Sequence, residues 1–535
     1  MASHVGPFVN LRSFLDHLDA HGELAKVKAE VDPVLEVAAV ADRVMKSPAP
    51  RGHDEVDRHV HADKGGRALL FQNVRGSDMP ICINAFGSYR RIEEALGTPT
   101  LEHLAARVEK FVKPQLPATL YEKFKLGKEV IGDLSALLPK KVKDAPCQAV
   151  VRTGKQVDLN RLPVIQCWPH DGDIDSGEVF SHLAADLPAA RQRPRTGRYI
   201  TLGGIYTTHP ETGDKNIGMY RVQVFDHNTC AMHWHVHHDG ARHFRAWQKK
   251  GVGGEPMPVA VVLGGSSVMP YAATAPLPPG IPEVAFASFL NQKRIEMVQC
   301  VSHDLEVPAE AEIIIEGFVH PTETLVEGPF GDHTGFYSLA DRYPRFDVTA
   351  ITTRTDPIYP TTIVGKPPME DYFLGKATER VFLPLLKTIV PDILDYALPM
   401  AGCFHNCVYV KIKKEYAYQA RRVMHAIWGA GQMSFTKFIV VVDEDVDVHD
   451  EQAVLFHLFA NCDPARDTET VRGPVDILDH ASPGLGVGSK MGFDATRKLA
   501  AEAGESVVRD WPLELEFDQA TRDMVDRRWA EYGLS

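Results

Sequence analysis

The hydrophobic pattern changes period along the chain. In LRSFLDHLDAHGEL apolar positions recur at helical spacing, and Gly22 supplies a stop. VDPVLEVAAVADRVMKS is a second such stretch. Its Asp32-Pro33 pair stands in N-cap and N1 order, so a helix is expected to open there. Residues 47–66, SPAPRGHDEVDRHVHADKGG, have no period and much charge, and read as an exposed loop or insertion. RALLFQNV and MPICINAFG have the length and apolar content of short buried strands, and helical spacing returns near 88–96 and 101–111. These elements predict an N-terminal α/β unit over residues 1–115.

From about residue 145 strand-like runs dominate. CQAVVRTG, RYITLGGIYTTH, YRVQVFD, CAMHWHV, PVAVVLGG, IEMVQC and AEIIIEGFV are separated by turn residues, and the pattern predicts a β-rich, barrel-like domain over 116–330. DVTAITTRTDPIYPTTIVG continues as β structure. GKATERVFLPLLKTIVPDILDYAL then reads as helix. NCVYVKIKK, EYAYQARRVMHAIWGA and KFIVVVDEDVDV give a strand–helix–strand order, a second α/β unit over 331–500. The tail, 501–535, ends in an amphipathic helical stretch at 515–534 that could pack on another subunit. The fold class expected is thus a multidomain α+β and α/β chain.

Composition narrows the function classes. At 535 residues the chain is too long for one core. With 44% apolar and 24% charged residues it is globular in type, and a formal net charge of −13 argues against nonspecific nucleic-acid binding. Eight cysteines, at 82, 147, 167, 230, 300, 403, 407 and 462, are scattered and do not form a disulfide framework. They read as reduced thiols in a cytoplasm. The N-terminal stretch has no apolar core after a basic start, and no run of about 18 apolar residues predicts a membrane span. Neither a phosphate-binding P-loop nor a G-x-G-x-x-G turn is present, so a Rossmann dinucleotide site is not expected.

Candidate chemistry lies in the β-rich region. EGPFGDHTG holds two acids, Glu327 and Asp332, among Gly328, Pro329 and Gly331. It is either a solvated turn or a rigid loop presenting an acid/base pair. NIGMYR spans Asn216 to Arg221; HWHVHH carries His233, His235, His237 and His238; PLPPGIPE ends in Glu283. An amide oxygen, an imidazole and a carboxylate suit a hard or borderline divalent cation and leave open positions. Singly, each has an ordinary reading: a turn asparagine, a polar strand face, a surface glutamate, a structurally paired arginine.

Together, NIGMYR, WHVHHDGA, PLPPGIPE, EGPFGDHTGFYS and GKPPMEDYFLG, in this order, resemble the UbiD family of reversible decarboxylases. VYVKIKKEYAYQARRVM, FTKFIVVVDEDVDV, CDPARDTETV and GVGSKMGFDATRK extend the resemblance from about residue 8 to 530. The texture is most similar to the 3-polyprenyl-4-hydroxybenzoate carboxy-lyase branch. The resemblance implies a central split β-barrel that binds prenylated FMN, and a C-terminal oligomerisation domain with a terminal helix. It implies Asn216, His237 and Glu283 as ligands of Mn²⁺ or another divalent ion bridging to the flavin phosphate, with K⁺ nearby. His235 and His238 flank His237 and compete for that assignment. Arg221, Glu327 and Asp332 are the implied catalytic residues. Thr201 and Thr274 fall where flavin contacts are expected, and Lys437 is a candidate for the phosphate.

The implied reaction is reversible, non-oxidative decarboxylation of an aromatic or heteroaromatic acid through a covalent substrate–cofactor adduct, with CO₂ as the other partner. Arg221 would grip the substrate carboxylate bidentately and keep Glu327 ionised. Asp332, its pKa raised by a like-charge neighbour, would donate the proton. A flavin prenyltransferase would supply the cofactor, and a homo-oligomer is expected, a hexamer rather than a dimer. The location expected is cytoplasmic, with peripheral membrane contact if the substrate is polyprenylated. Two rival readings are a non-catalytic flavin-binding accessory subunit and a zinc hydrolase built on the histidine cluster.

Overall fold

A computed structural model describes residues 6–51, 63–112, 138–176, 183–235, 239–250, 255–277, 280–502 and 511–534. Three main sheets succeed one another along the chain.

The N-terminal sheet has four strands, in the order Leu24–Val31, Ala68–Val74, Ile81–Ile83 and Tyr359–Thr361. The first strand is parallel to the second, and the last is parallel to the third. The late segment 359–361 therefore closes an early sheet and ties the N-terminal unit to the middle of the chain. Helix Leu11–Ala20 is capped by Asn10, whose side chain accepts from the Ser13 amide at 3.0 Å, and it ends before Gly22, whose φ is 72°. The second helix begins at Glu36, later than the Asp-Pro pair predicts. Asp32 is drawn into a turn, accepting from the Val34 amide at 2.8 Å. Part of the expected loop, residues 52–62, lies outside the described residues.

The central sheet has nine strands, mostly antiparallel. Its spine is the pair Ala311–Glu327 and Asp341–Thr353. Met257–Gly264, Gly204–Thr208 and Lys215–Met219 extend it on one side. Thr229–Met232, Val222–Val224 and Tyr199–Ile200 extend it on the other, and Val150–Thr153 pairs with Asp341–Thr353. The path does not close on itself among the described residues, so the sheet is a half-barrel. It also runs across the division expected at residue 330. Glu327 faces Asp341 in the antiparallel ladder.

The C-terminal sheet runs Ile393–Ala397, Cys407–Ile412, Phe438–Val442, Val487–Asp494 and Thr468–Pro474. Its middle three strands are parallel. Val487–Asp494 and Thr468–Pro474 carry too many glycines and charges to announce themselves by period. The helix expected over 375–398 is Glu370–Ile389, and its expected end is instead strand Ile393–Ala397. In the tail, helix Gln519–Arg528 stands exposed behind Leu513 and Leu515, which are 96% and 99% accessible. No helix among the described residues is long and apolar enough to cross a membrane.

Candidate active site

The two acids of EGPFGDHTG are not both loop residues. Glu327 is the last residue of strand Ala311–Glu327, and Asp332 comes directly after the two-residue strand Phe330–Gly331. Between them Gly328 adopts φ 90°, a conformation that favours glycine. A Cβ on Gly331 would lie 2.2 Å from Cδ1 of Trp168, so only glycine lets the turn sit this close to the indole. Buried Asp171 holds the turn from below. One of its oxygens accepts from the Gly331 amide at 2.8 Å, and the other accepts from the Cys167 and Trp168 amides.

Arg221, between strands Lys215–Met219 and Val222–Val224, reaches both acids. Its Nε and Nη2 donate to the two oxygens of Glu327 at 2.8 and 3.1 Å. Nη1 donates to Asp332, and Nη2 also donates to the Ser338 hydroxyl at 2.9 Å. The guanidinium lies over the Phe330 ring, 4.7 Å from its centroid. Four of the five guanidinium N–H groups are thus engaged. The bidentate grip on a substrate carboxylate expected from sequence is not available unless an acid gives way. One Nη1 N–H remains.

Two histidines complete the network. Nδ1 of His233 lies 3.0 Å from Glu327 Oε2, and its ring stacks at a tilt 4.3 Å from that of Tyr343. Strand Thr229–Met232 ends just before it, so the expected strand through residue 236 stops short and His233 turns to Glu327. His333 places Nδ1 at 2.9 Å from Asp332 Oδ1 and Nε2 at 2.8 Å from Nε2 of His405, which comes from the C-terminal unit.

These contacts set the charges. Burial pushes the Glu327 carboxyl up, but Arg221 and His233 outweigh it and hold the group down at about 2. Burial acts on Asp332 in the same way, yet the bond from His333 and the charge of Arg221 hold it far below the usual carboxylate range. The raised pKa expected from a like-charge neighbour is therefore corrected, since the guanidinium between the acids neutralises their repulsion. Burial lowers His333, but Asp332 overrides it and raises the imidazole to about 9. At neutral pH the proton rests on His333. Burial lowers His405 to about 4, so it is a neutral acceptor for His333. Burial lifts Asp371, which faces His333, to about 7.

The other predicted residues are distributed around this centre. Asn216 and Glu283 line one cleft with Thr207, Lys215 and Glu306. Glu283 accepts from the Ile217 amide at 2.9 Å, and burial pushes its carboxyl up to about 7. Among the described residues, the Asn216 side-chain nitrogen is buried without a hydrogen-bond partner. His237 and His238 lie outside the described residues, while His235 contacts His233. The Thr201 hydroxyl bonds to the Thr362 carbonyl at 2.6 Å and Thr361 Oγ1 at 3.0 Å, and Thr274 donates to the Tyr271 carbonyl at 2.8 Å. Lys437 pairs with Asp479 at 2.9 Å in the C-terminal unit. Sequence reasoning left Ser338, His333, His405 and Asp171 unassigned. His333 and Ser338 carried a local signal, since both lie in the quoted motif EGPFGDHTGFYS, His333 next to Asp332.

Comparison with known proteins identifies the family. The chain matches the 3-octaprenyl-4-hydroxybenzoate carboxy-lyase N-terminal domain over residues 15–111, the Rift-related domain over 140–367 and the C-terminal domain over 372–495. It is 43% identical over 525 residues to an uncharacterized protein of Archaeoglobus fulgidus, covering 98% of both chains. It is 42% identical over 526 residues to one of Aquifex aeolicus, covering 98% of this chain and 99% of the other. Among solved structures, the UbiD-class enzyme HmfF from Pelotomaculum thermopropionicum, in complex with FMN, aligns with a TM-score of 0.71 at 25% identity, over 95% of this chain and 97% of that one. The closed form of Sedimentibacter hydroxybenzoicus vanillic acid decarboxylase shares the fold, with a TM-score of 0.77 at 23% identity over 99% of this chain and 100% of that one. With all three domains matched in order and near-full-length relatives above 40% identity, the chain belongs to the UbiD family of carboxy-lyases.

Proposed function

We propose that this chain reversibly removes the carboxylate of an aromatic or heteroaromatic acid, without oxidation, using prenylated FMN. The observation that carries the reading is the buried Glu327–Arg221–Asp332–His333 network, an ionised acid pair with a protonated imidazole attached. FMN in HmfF, and prenylated FMN in an evolved dimeric form of that enzyme, support the cofactor.

The donor set fits the cofactor and its ion. Asn216 and Glu283 offer an amide and a carboxylate at one cleft; Glu283 is a half-buried acid that a cation would stabilise, and Asn216 is a buried amide whose side-chain nitrogen has no hydrogen-bond partner among the described residues. These two residues, with His237, would hold Mn²⁺ and the flavin phosphate, and K⁺ would lie nearby. Thr201 and Thr274 are assigned to the flavin's surroundings. When bound, the prenylated flavin supplies the sink for the electron pair released as CO₂ departs.

The chain's own residues supply orientation and the proton. The remaining Nη1 N–H of Arg221 positions the substrate carboxylate beside Glu327 and Asp332. Glu327, held ionised by Arg221 and His233, keeps the guanidinium in place. As the carboxylate leaves, a proton passes from His333 Nδ1 to Asp332 and then to the ring carbon. In the carboxylation direction the same groups take that proton back.

The chain is read as a homo-oligomer on the strength of the exposed apolar tail at Leu513, Leu515 and Phe517, and as a hexamer in preference to a dimer on the sequence resemblance. It is read as cytoplasmic and as fed by a flavin prenyltransferase. A polyprenylated hydroxybenzoate is the substrate suggested by the sequence texture, with simple phenolic acids and heteroaromatic acids next.

The test is expression with and without a flavin prenyltransferase, followed by cofactor mass, metal content and label exchange. Protein carrying prenylated FMN and Mn²⁺ should exchange ¹³C-bicarbonate into at least one member of a panel of aromatic acids. A chain that takes up neither flavin nor Mn²⁺ under anaerobic reconstitution refutes the reading. A loaded chain that exchanges no label and decarboxylates no acid supports the accessory-subunit alternative.

A further inference from the structure

A second cluster of metal-ligating groups lies outside the site described. Cys300, His303 and Glu316 offer one ligand atom each, all within 4.8 Å of one another. Cys300 and His303 belong to the turn joining strands Glu296–Gln299 and Glu306–Pro308, and Glu316 belongs to the spine strand of the central sheet.

The surroundings of each group fit a ligand. Glu316 is completely buried. Its carboxylate accepts from the Val301 amide at 3.1 Å, the Ser302 amide at 2.8 Å and the Ser302 hydroxyl at 2.9 Å. Those bonds fix the turn over the sheet, but none brings a positive charge. No lysine or arginine among the described residues pairs with it. Nε2 of His303 lies 3.0 Å from the Val259 carbonyl, which can only accept. The N–H is therefore on Nε2, and the lone pair is on Nδ1, which is buried without a hydrogen-bond partner among the described residues. A ring N–H anchored on a backbone carbonyl is how metal-ligating histidines are commonly oriented. Cys300 is buried beside Glu316, and burial together with that carboxylate holds its thiol protonated in the absence of a cation.

One cation would satisfy all three groups. We infer that Cys300, His303 and Glu316 form a structural site for a borderline-soft divalent ion, Zn²⁺ foremost, with water as fourth ligand. A thiolate, an imidazole and a carboxylate are the donors that zinc accepts, whereas Mg²⁺, Ca²⁺ and Mn²⁺ favour oxygen. Bonds of about 2.0–2.3 Å in a tetrahedron set ligand atoms roughly 3.3–3.8 Å apart, so side-chain rotation of about an ångström closes the cluster. On binding, the thiol gives its proton to solvent and no redox change occurs. The ion would pin the 300–305 turn to the central sheet. Asp304, Leu305 and Glu306, the next residues of that turn and strand, line the cleft of Asn216 and Glu283, so the site stiffens one wall of the proposed cofactor cleft.

The test uses the full chain with Zn²⁺ and with Co²⁺ as a spectroscopic substitute. Stoichiometric zinc should survive dialysis in the parent and in Glu283→Gln. It should drop at least tenfold in Cys300→Ser and in His303→Gln. The Co²⁺ form should show a thiolate-to-metal charge-transfer band that is lost in Cys300→Ser. Absence of that band in the parent chain overturns the inference without recourse to any variant. Zinc that is lost in Glu283→Gln but retained in Cys300→Ser overturns it as well.

Discussion

Arg221→Met tests the core of the site. Methionine keeps much of the side chain's bulk and removes the guanidinium. Glu327, fully buried, would keep only His233, and Asp332 only His333. Two routes give the cost. Breaking a buried ion pair by deleting one partner costs about 3–5 kcal/mol. Independently, Glu327 is held at about 2 against an ordinary 4.5. That gap is about 2.5 tenfold steps, or about 3 kcal/mol. A carboxyl depressed in the fold stabilises it above its unfolded value of 4.5 and loses that contribution as pH falls through about 2. In the variant, burial without the guanidinium raises the same carboxyl, so it takes up a proton in the fold. The deficit is therefore expected in full near pH 8 and reduced at pH 5. Amide hydrogen exchange of the 327–335 segment reads it locally, because its amides are held within the site, Gly331 on Asp171, Gly328 on Gln223 and Phe330 on Ser338. About 3 kcal/mol corresponds to exchange roughly a hundredfold faster than in the parent at the same pH. Acceleration below about threefold, or a deficit that grows on acidification, would refute the assigned charges.

The same geometry sets four further outcomes. Asp332→Asn should retain flavin and metal but slow product protonation by about 10²–10⁴-fold in single turnover; full turnover would sink the proton-donor role. With His333 holding its proton up to about 9, activity should fall as pH rises through that value, and His333→Asn should remove this alkaline limb from the pH–rate profile. Gly331→Ala puts a methyl against Trp168 and should shift the indole fluorescence and cost most of the activity, whereas an unchanged spectrum would mean that the turn tolerates the methyl. Glu283→Ala should abolish Mn²⁺ retention and weaken flavin uptake, measured by metal content and cofactor mass; unchanged loading would remove Glu283 from the ligand set.

Much of the site was legible because its residues sit in short, spaced motifs. Glu327, Asp332 and Arg221 could be picked from the resemblance of the ordered motifs to the UbiD family, and the structure brings them within hydrogen-bond reach. Their charge states were not legible. Two nearby carboxylates suggest a raised pKa, and only the placement of Arg221 between them reverses the sign. His405 was invisible for a related reason. It lies in AGCFHNC, remote in sequence from Asp332, and only the packing of the C-terminal unit brings it to His333. The fold shows the same division. Helices with a clear apolar stripe, such as Leu11–Ala20, were readable. Strand Leu24–Val31 was not, because its middle positions face solvent and carry lysines and glutamates. The half-barrel's pairing across residue 330 depends on a long-range ladder that no local period encodes.

The arrangement also explains why a site built on ionised acids can deliver a proton. A buried carboxyl with a raised pKa would hold its own proton, but it would also weaken the grip on Arg221, since a neutral acid neutralises nothing. Here Arg221 keeps both acids charged, and the proton is stored one residue further out, on an imidazole that donates to Asp332. In the proposed reaction Asp332 would serve as a conduit, neutral only in passing. The store is held by two parts of the chain. Asp332 raises His333 from the turn after Phe330–Gly331, and neutral His405 accepts its second N–H from the C-terminal unit. Separating the two units would leave that N–H to solvent, while the acids and Arg221 would stay together in the central domain. The electrostatic frame of the site therefore belongs to the central domain alone, and its proton supply depends on how the C-terminal unit docks.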